Sequence, residues 1–209
     1  MLDLLVSLQL EGGLVNMSSA PDDFWYENAL KHDTDFATAA FGAGLRFESH
    51  NVQLSVGWRN LGNEHQSSDI IADAHYFACR AKPSTCEKPV QYWTETGNTQ
   101  QTYAELGYAF HLGSFRLVPS VGIAETRFTS HENFYAYQED GSLKRIPAAC
   151  SAGPQMLPRP FVGLTLQRGN LGIGAYQLNT EPNRGANNCS SPFQGSSATY
   201  LRVTSALPL

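Results

Sequence analysis

His131 stands between Ser130 and Glu132, the residue types of a nucleophile and its base. Adjacent residues rarely converge on one substrate atom, so the triplet is a weak signal for a hydrolase. His65, Asp69, Asp73 and His75 have metal-ligand chemistry at loose spacing. His50 and His111 fall at expected tight turns, and the chain lacks GxSxG, P-loop and HExxH motifs. Four cysteines, Cys79, Cys86, Cys150 and Cys189, contain no CxxC pair, so a zinc site is disfavoured against disulfides. No cofactor or metal is expected, and catalysis is the least favoured reading.

The elements that must position these residues are set by composition. Charged residues make up 16% of the chain, against roughly 25% in an average soluble domain, yet mean hydropathy is only -0.29. No apolar run approaches the ~18 residues of a membrane helix. A membrane β-barrel has this profile, because lipid-facing and lumen-facing residues alternate and dilute the apolar signal. A net charge of -5 without a basic stripe predicts no nucleic-acid partner. The N-terminus, MLDLLVSLQLEGG, lacks a basic segment and carries Asp3 and Glu11, so it does not read as a signal peptide; the chain is expected to be a mature form with an added Met1.

Period-two alternation recurs eight times. Leu4, Val6, Leu8 and Leu10 oppose Ser7, Gln9 and Glu11; Ala39, Phe41, Ala43, Leu45 and Phe47 oppose Thr38, Gly42, Gly44 and Arg46. Val52, Leu54, Val56 and Trp58 then oppose Gln53, Ser55, Gly57 and Arg59, and Ala104, Leu106, Tyr108 and Phe110 oppose Tyr103, Glu105, Gly107 and His111. The remaining apolar sets are Phe115/Leu117/Val121/Ile123, Val162/Leu164/Leu166, Leu171/Ile173/Ala175 and Leu201/Val203/Leu207/Leu209. Glu48–Asn51, Leu112–Ser114 and Arg168–Asn170 read as tight turns, whereas Asn16–Thr34, Leu61–Gln100, Arg127–Leu157 and Asn179–Ser197 read as loops of roughly 20 to 40 residues. Short turns at one end and long loops at the other predict a single-domain, eight-stranded, antiparallel up-and-down barrel over 1–209, with periplasmic turns, four long extracellular loops and both termini in the periplasm. A soluble carrier with an apolar interior is the alternative. It would leave Gly42, Gly57, Gly107, Gly122, Gly163 and Gly174 on a solvent face, where glycine only weakens a strand. In a narrow lumen, glycine makes room for a large neighbour.

In that topology Glu11, Arg59, Glu105, Arg159 and Arg202 form an upper lumen layer and Asp3, Arg46 and Arg116 a lower one. Glu11 is expected to face Arg202, Arg59 to face Glu105, and Asp3 to face Arg46. Charges in a slender barrel must be paired or solvated, which predicts a salt-bridge plug; the alternative is a narrow, anion-leaning conduit. All four cysteines fall in outer loops, consistent with an oxidising compartment. Cys79–Cys86, closing a small ring, and Cys150–Cys189, tying two loops, is the favoured of three pairings. Loop aromatics Trp25, Tyr26, Tyr92, Trp93 and Tyr135 are candidate recognition residues beyond an interfacial girdle.

The segment Leu106–Phe128, LGYAFHLGSFRLVPSVGIAETRF, resembles the strand–turn–strand unit of Gram-negative outer-membrane barrels. These include OmpA/OmpX-type and opacity-like surface proteins and autotransporter β-domains. The recognisable parts are Gly107–Phe110, the tight turn and the Leu117–Pro119 step; the chain departs from the family's aromatic C-terminus by ending Leu207-Pro208-Leu209. The resemblance implies a multi-pass protein of the bacterial outer membrane, contacting its lipid and lipopolysaccharide. Its loops would serve surface interaction or envelope structure rather than catalysis, with an extracellular protein or surface ligand as partner; a small-solute pore and a lipid-modifying enzyme are the alternatives.

Overall fold

The computed structural model describes residues 4–17, 33–35, 37–70, 91–146, 151–179 and 197–209. All regular structure among them is β: β1 Leu5–Met17, β2 Asp33–Asp35, β3 Ala37–Ser49, β4 Val52–Ile70, β5 Gln91–Tyr108, β6 Phe110–Leu112, β7 Phe115–Tyr137, β8 Leu143–Ile146, β9 Ser151–Arg168, β10 Leu171–Asn179 and β11 Ser197–Pro208. The short β2, β6 and β8 pair onto longer neighbours. The other eight form an antiparallel circuit, β1-β3-β4-β5-β7-β9-β10-β11, which the β1–β11 ladder closes. Closure removes every sheet edge around the ring.

The faces are inverted relative to a soluble protein. Ile173 is 68% exposed and Val162 55%, while Arg59 is fully buried and Arg202 5% exposed. One outward row runs Leu8, Leu45, Val56, Ala104 and Ile123 through paired positions; another runs Leu14, Leu201, Ala175 and Leu164. An apolar belt of this extent on a closed barrel with a polar interior is a lipid-facing surface. The soluble-carrier alternative, with the apolar faces inward, is therefore wrong. Phe41 and Trp58 meet edge-to-face at 5.7 Å at one margin of the belt, and Tyr108 and Phe110 at 5.0 Å at the other.

The three tight turns lie together. Ser49 pairs with Val52, Leu112 with Phe115 and Arg168 with Leu171, leaving two-residue connections whose first members, His50, Gly113 and Gly169, all have positive φ. Primed turns need that conformation to match strand twist. At the opposite end the strands outrun the sequence reading. Leu61–Ile70, Gln91–Gln100, Arg127–Tyr137 and Ser151–Leu157 were expected as loop, and all are strand. Beyond the lipid neither face needs apolar residues, so the alternation that marks a strand disappears while the ladder continues. A bulge between Asn60 and Asn63 also shifts the phase of β4, with Gly62 at φ 102. The four long loops expected at this end fall at 18–32, 71–90, 147–150 and 180–196, which lie outside the described residues.

Candidate functional site

The lumen is filled in layers. At the upper layer the Arg59 guanidinium lies 4.7 Å from the Tyr103 ring centroid, 4.8 Å from Phe161 and 5.6 Å from Tyr200. Its Nε donates to Gln101 (2.8 Å), whose amide donates to Thr126 (2.9 Å). Val15, Leu61, Leu178 and Ala198 pack into the same buried cluster. Room for the rings comes from glycine: a Cβ on Gly163 would overlap the Tyr176 ring, and one on Gly122 the Phe161 ring.

The middle layer is the charge cluster. Arg202 makes a two-pronged contact with Glu105 (2.8 and 3.2 Å) and reaches Glu11 at 3.2 Å. It also lies 4.0 Å from the Tyr176 ring centroid and donates to the Tyr176 hydroxyl. Tyr176 donates to Glu105 (2.9 Å), and Tyr103 donates to Glu11 (3.3 Å). One cation thus holds two carboxylates, each further fixed by a tyrosine. Below it, Gln53 and Gln167 exchange amide hydrogen bonds at 3.0 and 3.1 Å, and Glu48 accepts from Arg116 and lies 4.0 Å from Arg46. A cavity of about 10 Å³ between these two layers has room for about one water.

Glu11 and Arg202 therefore meet, but Arg59 and Glu105 are not a close pair. The ladder sets Arg59 opposite Gln101 and Glu105 opposite Ser55, so the two charges differ in height and Glu105 goes to Arg202 instead. Arg46 and Arg116 converge on Glu48, which the sequence pattern places in a turn and the structure places at the end of β3. Asp3 lies outside the described residues, and Arg159 sits half-buried opposite Ala124 in β9.

The candidate recognition aromatics separate. Trp93 is 1% exposed, packed with Phe134 and Ile146 inside the extended wall, so it presents no surface for recognition. Tyr92 and Tyr135 lie on strands rather than loops, on the outer face, with ring centroids 6.1 Å apart. Tyr137 donates to Asp69 at 2.5 Å, and that carboxylate holds its phenol up at about 12. Trp25 and Tyr26, the four cysteines, Asp73 and His75 lie outside the described residues. His131 is in a strand, in one row with Thr96 and His65. Among the described residues no three His, Cys, Asp or Glu side chains are grouped to hold a metal.

No family profile matches the chain, and no curated protein matches it. Solved structures to which it is similar include Neisserial surface protein A (NspA), at 10% identity and TM-score 0.37, covering 98% of this chain and 97% of that one. Another is Ail, the attachment invasion locus protein of Yersinia pestis, in complex with the heparin analogue sucrose octasulfate. It stands at 12% identity and TM-score 0.36, over 98% and 96% of the two chains. The strand circuit, its closure and its inverted faces are this chain's own, and they make it an eight-stranded antiparallel transmembrane β-barrel.

Proposed function

We propose that the protein is a sealed scaffold of the bacterial outer membrane, holding a polar β-wall and loops at the cell surface for interaction. The observation that carries this is strand length. About 9–11 tilted residues cross a bilayer, yet β4, β5, β7 and β9 run 19, 18, 23 and 18 residues. These four neighbours rise well past the apolar belt, at the end opposite the tight turns. A lumen packed with Arg59, Tyr103, Phe161, Tyr176 and Tyr200 favours a plug over a conduit. Disulfides Cys79–Cys86 and Cys150–Cys189 would brace the connecting segments, and an extracellular protein or surface ligand is the proposed partner. An epitope inserted within 71–90 is expected to be labelled on intact cells, and one at His50–Asn51 only after the outer membrane is permeabilised. The reverse pattern would overturn the orientation. Conductance in planar bilayers is expected to stay at background.

A further inference from the structure

The outward face of β4, β5 and β7 changes chemistry row by row. Val56, Ala104 and Ile123 form an apolar row; above it lie Trp58, Thr102 and Glu125, then Asn60, Gln100 and Arg127. The next two rows, across the bulge, are Asn63, Asn98 and Thr129, then His65, Thr96 and His131. They line an outward groove of about 440 Å³. Arg127, His65, Thr96 and His131 are exposed.

Asn98 builds the groove floor. Its amide donates to Asn60 (3.1 Å), to the Gly62 carbonyl (3.0 Å) and to Asn63 (2.8 Å), and its carbonyl oxygen accepts from Gln100 (2.9 Å). The bulge is thereby locked, and the hydroxyls and imidazoles beside it are pre-organised. The groove continues the lipid-facing surface directly, so its occupant is what stands on that surface.

Height decides which part of a lipid that is. Each row advances two residues, roughly 6.6 Å along the strand and about 5 Å along the membrane normal at a tilt near 40°. Taking Trp58 as the interfacial row, Arg127 lies about 5 Å above it, within the ~5–7 Å thickness of a headgroup zone. The groove rows lie about 10–15 Å above, beyond any phospholipid headgroup. A hydroxyl-, amide- and imidazole-rich surface there matches sugar hydroxyls, which need donors and acceptors side by side.

We infer that this groove holds the oligosaccharide of a glycolipid in the surrounding leaflet, with a headgroup phosphate on Arg127. The inference rests on the outer-membrane placement proposed above and names the site by which the wall meets its own lipid. The test uses the full chain refolded in phosphatidylcholine vesicles and titrated with three probes: lipopolysaccharide truncated after its inner core sugars, sugar-free lipid A, and the released core oligosaccharide. Core lipopolysaccharide is expected to bind tightest. The T96A/T129A/H131A variant should weaken it by about tenfold, as one or two lost hydrogen bonds would. R127A should weaken lipid A as well. Q177A/T199A, an exposed polar pair on the outer face of β10 and β11, should change neither. Should the triple variant fold poorly on the gel, a photo-crosslinking residue at Thr129 should capture core lipopolysaccharide, and one at Thr199 should not. Equal binding by native protein and variant, equal crosslinking at both positions, or free oligosaccharide binding as tightly as the intact glycolipid would each overturn the inference. The epitope-labelling result stands apart from all three, so failure here and failure of the orientation are separable.

Discussion

Arg202 is shared by two carboxylates, and that asymmetry sets the cost of losing each partner. Removing Glu105 still leaves Arg202 beside Glu11; removing Arg202 strands Glu11 and Glu105 together in the packed lumen. Arg202→Ala should therefore cost about 3–5 kcal/mol, and Glu105→Gln clearly less, read as urea unfolding midpoints in vesicles. Equal losses would mean that Arg202 acts through its packing on Tyr176 rather than its charge. Gly163→Ala is the steric counterpart. A methyl there collides with the Tyr176 ring, so a loss of about 1–3 kcal/mol is expected, and pairing it with Tyr176→Val should recover part of the loss, because the two sites share one space. At this scale the sequence was informative about which residues face inward and poor about who meets whom. Parity put Glu11, Arg202 and Glu105 in the lumen. Height depends on register, and register placed Arg59 against Gln101 and brought Glu48 into the lower cluster.

Element by element, legibility followed the lipid. Where hydrocarbon lies outside, β10 alternates without a break, exposed then buried, from Leu171 to Leu178. Past the belt, stretches such as Thr94 to Gln101 are polar on both faces, and no period survives to distinguish them from loop. The Asn60–Asn63 bulge compounds this by putting two outward residues three positions apart. The Tyr137–Asp69 contact ties the top of β7 to the top of β4. Its phenol is raised to about 12 from an ordinary 10.0. The proton is thus held more tightly in the folded wall, so the contact is fully present below pH 10 and is lost as pH rises through about 12. In an ultraviolet titration, Asp69→Asn should move one tyrosine's ionisation from near 12 back towards 10; an unchanged curve would remove the contact.

For the molecule as a whole, closure predicts a barrel that resists detergent until heated. Unboiled and boiled samples should migrate differently on an SDS gel, and a single band in both would contradict the closed circuit. Reductant should add a second shift where the proposed disulfides exist. What remained invisible in the sequence at this scale was how far the hydrogen-bonded wall continues past the lipid. Among the described residues β4, β5, β7 and β9, neighbours around the ring, run 18 to 23 residues each.

A tube with one kind of wall all round looks the same from every neighbour's position, whereas one marked on a single sector has a bearing. With its outward polar groove on the β4, β5 and β7 sector, this barrel has a front and a back in the plane of the leaflet. Turning it half a revolution about the membrane normal changes what an adjacent molecule meets. Neighbours in a crowded surface would then be sorted by azimuth as well as by distance, and two copies would have preferred ways to stand beside each other.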